Sequence, residues 1–423
     1  MRSKEYPGCG EHVLRAKLPS GLTVMIVPKV GYEKKFAVLA VKYGGADRRF
    51  RLDKTWKKTP AGVAHYLEHK MFDLPEGNAL EMFTALGADS NAFTGSFRTA
   101  YYFDVTERFE DCLRLLLRFV TTPYFTEESV RKEQGIIGQE IGMISDRPGF
   151  YTYYGLLRLL FKDHPMRDPV AGSVESIAEI TPEVLYDCHN AFYRPSNMVL
   201  TVVGNVDPDR VVRLAEENFP HSIGKAPERD HGKDREPCPG KTRLETPLDV
   251  SRPRFLMGAK LSEPVEEGGA LRRYLTGELA MELLAGKSSP LYASLYGEGL
   301  IDRHFHVGCS VEDSAAWVML GGESRDPDTV CLRIMDGAEE LSSRNVDEKR
   351  LERKKRAMRG DFLRELDDPQ ELGLRLMDSA FQGCDWMETP EILQDIRPEE
   401  IRTLLRDSLT VDRTAVSVVR PKE

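Results

Sequence analysis

The sequence contains no apolar run long enough to cross a bilayer, and its first ten residues are polar where a signal peptide would need a hydrophobic stretch. Cysteine is scarce and odd in number, seven in 423 residues, with no Cys-x-x-Cys pair. That pattern argues for free thiols in a reducing compartment and against cysteine as a metal ligand. A positive balance is missing too: 59 Lys and Arg stand against 68 Asp and Glu, a net charge of −9. With no basic stripe bearing interleaved aromatics, nucleic acid is excluded as the expected partner. A hydrophobic share of 41% with 30% charged residues leaves no disordered or fibrous signature. The expectation is a cytoplasmic protein of two or three domains with no membrane association.

Histidine is also rare, yet two of the nine sit four residues apart in the run His65, Tyr66, Leu67, Glu68, His69. Ala64, Leu67 and Met71 fall at helical spacing and predict an apolar stripe, which puts His65, Glu68, His69 and Phe72 on the other face. Two imidazoles one turn apart can share one metal ion, and a neighbouring carboxylate can then act as general base on a water. The order His-x-x-Glu-His is the inverted zinc-peptidase pattern, in which Glu68 is the base and not a ligand. A catalytic zinc needs a third protein ligand. A structural or coincidental site is disfavoured, because structural zinc is normally closed by four protein ligands.

Residues 126–146 form the element expected to supply that ligand. Ile137, Ile141 and Ile144 predict an apolar stripe, Thr126 an N-cap, and Arg147, Pro148 and Gly149 a stop. Glu133 and Glu140 lie seven apart on one face; one could ligate a metal while the other orients a histidine or adds charge behind it. Gly135, Gly138 and Gly142 each cost a helix interior roughly 0.8–1 kcal/mol relative to alanine. Their spacing suggests a bare strip where a neighbouring helix approaches closely, bringing Glu140 to the metal.

Residues 22–27 and 36–43 read as paired strands, 78–86 and 107–120 as helices, and 91–97 with 99–105 as a hairpin. The aromatic and leucine-rich stretch 151–162 reads as core. Thr181, Pro182 and Glu183 open a helix, 198–203 is a buried strand, and a helix follows at 206–218. From 221 to 254 charge, proline and glycine predict an interdomain linker. Beyond it the order of elements recurs in outline without the His-x-x-Glu-His run. His304 and His306 alternate on a predicted strand, but a second metal site is not expected there.

The His65, Glu68, His69 run, the later Glu133 and Glu140, and the strand-like Gly87 to Thr94 resemble the pitrilysin/insulinase family of zinc peptidases. The resemblance continues through His164-Pro165, Gly172-Ser173, Phe192 to Met198 and Val202 to Val206. It implies an α+β fold of two structurally similar domains, each a mainly antiparallel sheet packed with helices, together forming half of a clamshell chamber. It further implies a zinc cofactor held by His65, His69 and Glu140, Glu68 as catalytic base, and Glu133 as a catalytic carboxylate behind the ligands. Asn91, Ala92 and Phe93 would be substrate-binding residues on an edge strand that takes an extended peptide alongside. The expected domains are 1–220 with the zinc site, the linker 221–254, and 255–423 without a metal motif. Many relatives carry an arginine and a tyrosine where this chain has Tyr296 and Asp302. The chain is therefore expected to be the zinc-bearing subunit of a heterodimer with a homologue, or failing that a homodimer, acting as an endopeptidase on extended or unfolded peptides. A non-catalytic peptide-binding or assembly subunit and a dedicated precursor-peptide processing protease are the alternatives.

Overall fold

Six of the seven residues of Met198–Gly204 are apolar or glycine, and all seven are buried, so this segment belongs inside a sheet. It lies between Thr23–Pro28, to which it is parallel, and Lys35–Val41, to which it is antiparallel. The expected direct pairing of 22–27 with 36–43 is thereby corrected: the later strand separates them. In this computed structural model, which describes residues 1–219, 221, 224–232, 241–261, 268–313, 315–344 and 346–422, two sheets organise the chain.

The first sheet has seven strands in the order Arg2–Tyr6, Glu11–Lys17, Thr23–Pro28, Met198–Gly204, Lys35–Val41, Thr99–Val105, Asp89–Thr94. The second has five, in the order Arg243–Leu248, Thr414–Pro421, Arg254–Lys260, Ala315–Glu323, His306–Glu312. Each contains one parallel pair, and the remaining pairs are antiparallel. From the parallel pair to the far edge the two sheets share the same connectivity and directions, so the recurrence expected from the order of elements is a repeat of topology. Part of the expected linker is built into this architecture. Arg243–Leu248 is a sheet strand, and Arg229 bridges to Phe50, while 233–240 lies outside the described residues.

Two compact units interleave along the chain. One comprises Met1–Ile141, Pro169–Gly232 and Leu363–Phe381; the other comprises Gly142–Asp168, Lys233–Phe362 and Gln382–Glu423. Each unit thus takes a helix from the other part of the sequence. In the first, Pro369–Gln382 places Met377 and Leu374 against Phe36, Val38, Ala40 and Ala100. The opposite face of that sheet buries the main core, including Leu39, Leu67, Phe103, Leu116 and Leu200. In the second, Pro148–Leu160 packs Leu156, Leu157 and Leu160 with Leu256 and Trp317, as expected for a core stretch. Both crossings use missing side chains: a Cβ on Gly373 would lie 2.5 Å from Phe36 Cε1, and one on Gly258 would lie 3.0 Å from Leu156 Cδ2.

Phe36 is itself buried and cannot swing into solvent. Gly373→Val is therefore expected to destabilise the first unit by about 1–3 kcal/mol through overpacking, read as a lower urea midpoint; an unchanged midpoint would show that the helix shifts freely.

Candidate metal centre

The helix Val63–Met71 starts from Gly62, whose φ of 95° is left-handed and whose Cβ, if present, would lie 2.7 Å from the Ala171 carbonyl oxygen. Val63, Ala64, Tyr66, Leu67 and Met71 are buried, as the helical spacing requires. Phe72, expected on the histidine face, lies past the helix end and stacks on Phe119 with centroids 5.2 Å apart. The functional face narrows to His65, Glu68 and His69.

Among the described residues, His65, His69 and Glu140 form the one group of three His, Cys, Asp or Glu side chains that could hold a metal, with ligand atoms all within 4.8 Å of one another. His65 Nε2 is 3.6 Å from Glu140 Oε1, and His69 Nε2 is 3.6 Å from Glu140 Oε2. Donors placed tetrahedrally at zinc distances are separated by roughly 3.3–3.6 Å, so the set fits such an ion. The second nitrogen of His69 is committed: Nδ1 is 3.0 Å from Glu133 Oε1, which leaves Nε2 for a metal. His65 differs, since its Nδ1 is buried without a hydrogen-bond partner. Burial, with His69 beside it, pushes the His65 imidazole down to about 4, keeping it neutral as a ligand must be. Burial acts to lower His69 too, but the Glu133 hydrogen bond and the charges of Glu68, Glu133 and Glu140 raise it on balance.

Glu68 is 7% exposed, and burial lifts its carboxyl above the usual range, with Thr94 and His69 opposing and Glu140 assisting. Its Oε2 accepts a 2.6 Å hydrogen bond from Thr94 Oγ1. Thr94 ends the strand Asp89–Thr94, which lies at the sheet edge and, among the described residues, pairs only with Thr99–Val105. Ala92, on the same strand, packs against the main core, while Phe93 joins the cluster around Phe36 on the opposite face. Asn91 is exposed, and its Oδ1 accepts from the Ala92 N–H at 2.8 Å.

Glu127–Ser145 carries Glu133 and Glu140, and Thr126 caps it through a hydrogen bond from the Ser129 N–H. Its position comes from buried Val130 and Ile137, from the Tyr66 hydroxyl donating to the Val130 carbonyl, and from Gln134 donating to the carbonyls of Ile177 and Ile180. The expected role of Gly135, Gly138 and Gly142 is corrected. Among the described residues a Cβ on any of them would meet nothing within 4 Å, and no neighbouring helix uses that strip to bring Glu140 to the histidines. Tyr66, Gln134 and Thr94 are contributors that sequence reading missed. Only Thr94 left a signal, because it shares the strand face of Ala92.

In the second unit Tyr296 is half exposed and stacks on Tyr292, and Asp302 accepts the His304 N–H. His304 and His306 are exposed and join no metal-binding group among the described residues.

Residues 57–172 match the model of the insulinase family, peptidase family M16, and residues 179–358 match that of the peptidase M16 inactive domain. The zinc protease YmfH of Bacillus subtilis, itself named as uncharacterized, is 36% identical over 99% of both chains. The chain belongs to peptidase family M16. An M16-like peptidase from Alicyclobacillus acidocaldarius has the same fold at a TM-score of 0.93 with 32% identity, all of each chain being covered. Pitrilysin matches with a TM-score of 0.78 at 17% identity, covering 99% of this chain and 46% of that one, so the M16 fold here spans about half of pitrilysin. No described helix is long and apolar enough to cross a membrane, and the six described cysteines are free.

Because the glycine strip faces open space, Gly138→Ala is expected to keep the metal content of the protein and raise its stability by about 0.5–1 kcal/mol. Metal analysis beside urea denaturation checks this; loss of metal would restore a packing role for the strip.

Proposed function

We propose that this chain is a zinc endopeptidase acting on extended or unfolded peptides, with His65, His69 and Glu140 as the metal ligands and Glu68 as general base. The supporting observation is that two imidazole nitrogens and one carboxylate come within 4.8 Å of one another, with Glu68 of the same helix hydrogen-bonded to an edge strand. Bound zinc would polarise a peptide carbonyl and lower the pKa of water toward neutrality. Glu133 holds His69 so that Nε2 faces the metal. Glu68 takes the proton of the attacking water and passes it to the leaving amine. Its raised pKa suits a group that must accept and then release a proton. The free side of Asp89–Thr94 receives the substrate main chain as an added strand at Asn91, Ala92 and Phe93.

Tyr296 and Asp302 stand where the family resemblance leads to an arginine and a tyrosine. The chain therefore serves as the zinc-bearing subunit beside a homologous one. Free cysteines and a chain without a candidate membrane-spanning helix among the described residues support the cytoplasm as its place of action.

Zinc analysis with a quenched-peptide assay, on the chain alone and mixed with a co-encoded homologue, tests this. The expected outcome is about one zinc per chain and cleavage in the mixture. Zinc without cleavage under any pairing would make it a peptide-binding subunit, and no zinc would remove the reading. Full activity alone would remove the pairing, and cuts confined to one co-encoded precursor would favour the dedicated processing protease. Within an active sample, Glu68→Gln should keep zinc and lose cleavage, whereas His69→Ala should lose both. Glu133→Gln should weaken zinc affinity about 10- to 100-fold, measured by chelator competition.

A further inference from the structure

Glu68 has one oxygen pinned and one free. Thr94 Oγ1 donates to Oε2 at 2.6 Å, while Oε1 takes no hydrogen bond from the described residues. Thr94 Oγ1 also lies 3.3 Å from Thr99 Oγ1, and Thr99 Oγ1 donates to the Tyr43 carbonyl at 2.9 Å. A carbonyl can only accept, so the single proton of Thr99 is committed there and its oxygen acts as an acceptor. The proton of Thr94 then has two possible acceptors, and the closer, charged carboxylate oxygen takes it. Both threonines are β-branched, with few χ1 choices, and Thr99 is fully buried. The terminal torsion of a glutamate is broad by comparison.

We infer that Thr94 is a positioning residue for the general base: its hydroxyl, directed by Thr99, fixes the Glu68 carboxylate so that Oε1 alone faces the reacting water. The inference rests on the role proposed above for Glu68. It also makes the edge strand that receives the peptide the element that aims the base. Thr94 could instead matter only as a β-branched residue filling space in a strand, and the two roles call for opposite substitutions. Valine keeps the shape and loses the hydroxyl; serine keeps the hydroxyl and loses the methyl.

In the zinc-loaded protein with its homologous partner, Thr94→Val is expected to lower kcat roughly 10- to 100-fold, with KM, zinc content and melting temperature near native. Thr94→Ser is expected to stay within about threefold of native. The reverse order, an active valine variant and an impaired serine variant, overturns the inference. A second readout needs no activity: in metal-free protein labelled with ¹³Cδ-glutamate, the Glu68 signal, assigned by its loss in Glu68→Gln, should move in Thr94→Val and return in Thr94→Ser. An unmoved signal in the valine variant also overturns it. If the native protein cleaves nothing, the peptidase reading fails, and the carbon signal alone decides whether Thr94 holds Glu68.

Discussion

The seating of the Glu127–Ser145 helix on the His65 helix is the constraint on which the centre depends. Burial of Val130 and Ile137 supplies the attraction, and the Tyr66 hydroxyl on the Val130 carbonyl sets the height of one helix against the other. One turn of slippage would carry Glu140 about 5.4 Å along the axis, beyond reach of either imidazole. The same seating sets Glu133 against His69 Nδ1, because residues seven apart move together on one rigid face. Ligand and supporting carboxylate are thus placed by a single packing event between apolar side chains that take no part in chemistry.

What the sequence makes legible follows the range of the forces involved. His65, Glu68 and His69 are readable because a helical interval sets their shared face within two turns. The two carboxylates are readable as a pair for the same reason. Which of them meets the histidines depends on contacts between distant segments, and composition does not record those. The glycines illustrate the limit: their intrinsic cost implies a reason, but a bare helix face carries no sign of whether anything covers it. Thr94 is harder still, since strand threonines are common and its hydrogen bond exists only because one helix lies over that strand.

The fold departs from a reading in chain order for a related reason. Met198–Gly204, buried along its whole length, enters the sheet between two earlier strands, whereas local pairing rules favour neighbours in sequence. The helices Pro148–Leu160 and Pro369–Gln382 each belong to the unit that the surrounding sequence does not. An amphipathic stripe states that a face will be buried; it does not state on which sheet. What selects the sheet is shape, such as the space left by Gly373 for Phe36 and by Gly258 for Leu156.

The repeated topology raises the question of why, among the described residues, one copy carries the donors. In both units a helix lies over an edge strand, Val63–Met71 over Asp89–Thr94 and Ala270–Ala285 over His306–Glu312. In the second unit the approach is direct: a Cβ on Gly277 would lie 2.3 Å from Cys309 Sγ, and Glu278 Oε1 accepts the Cys309 N–H at 2.6 Å. That contact spends a main-chain donor of the strand on a helix side chain. In the first unit Glu68 meets the strand through the Thr94 side chain, and the histidines have room to face Glu140. The two copies therefore differ in how closely the helix rests on the sheet edge as well as in the donors it carries.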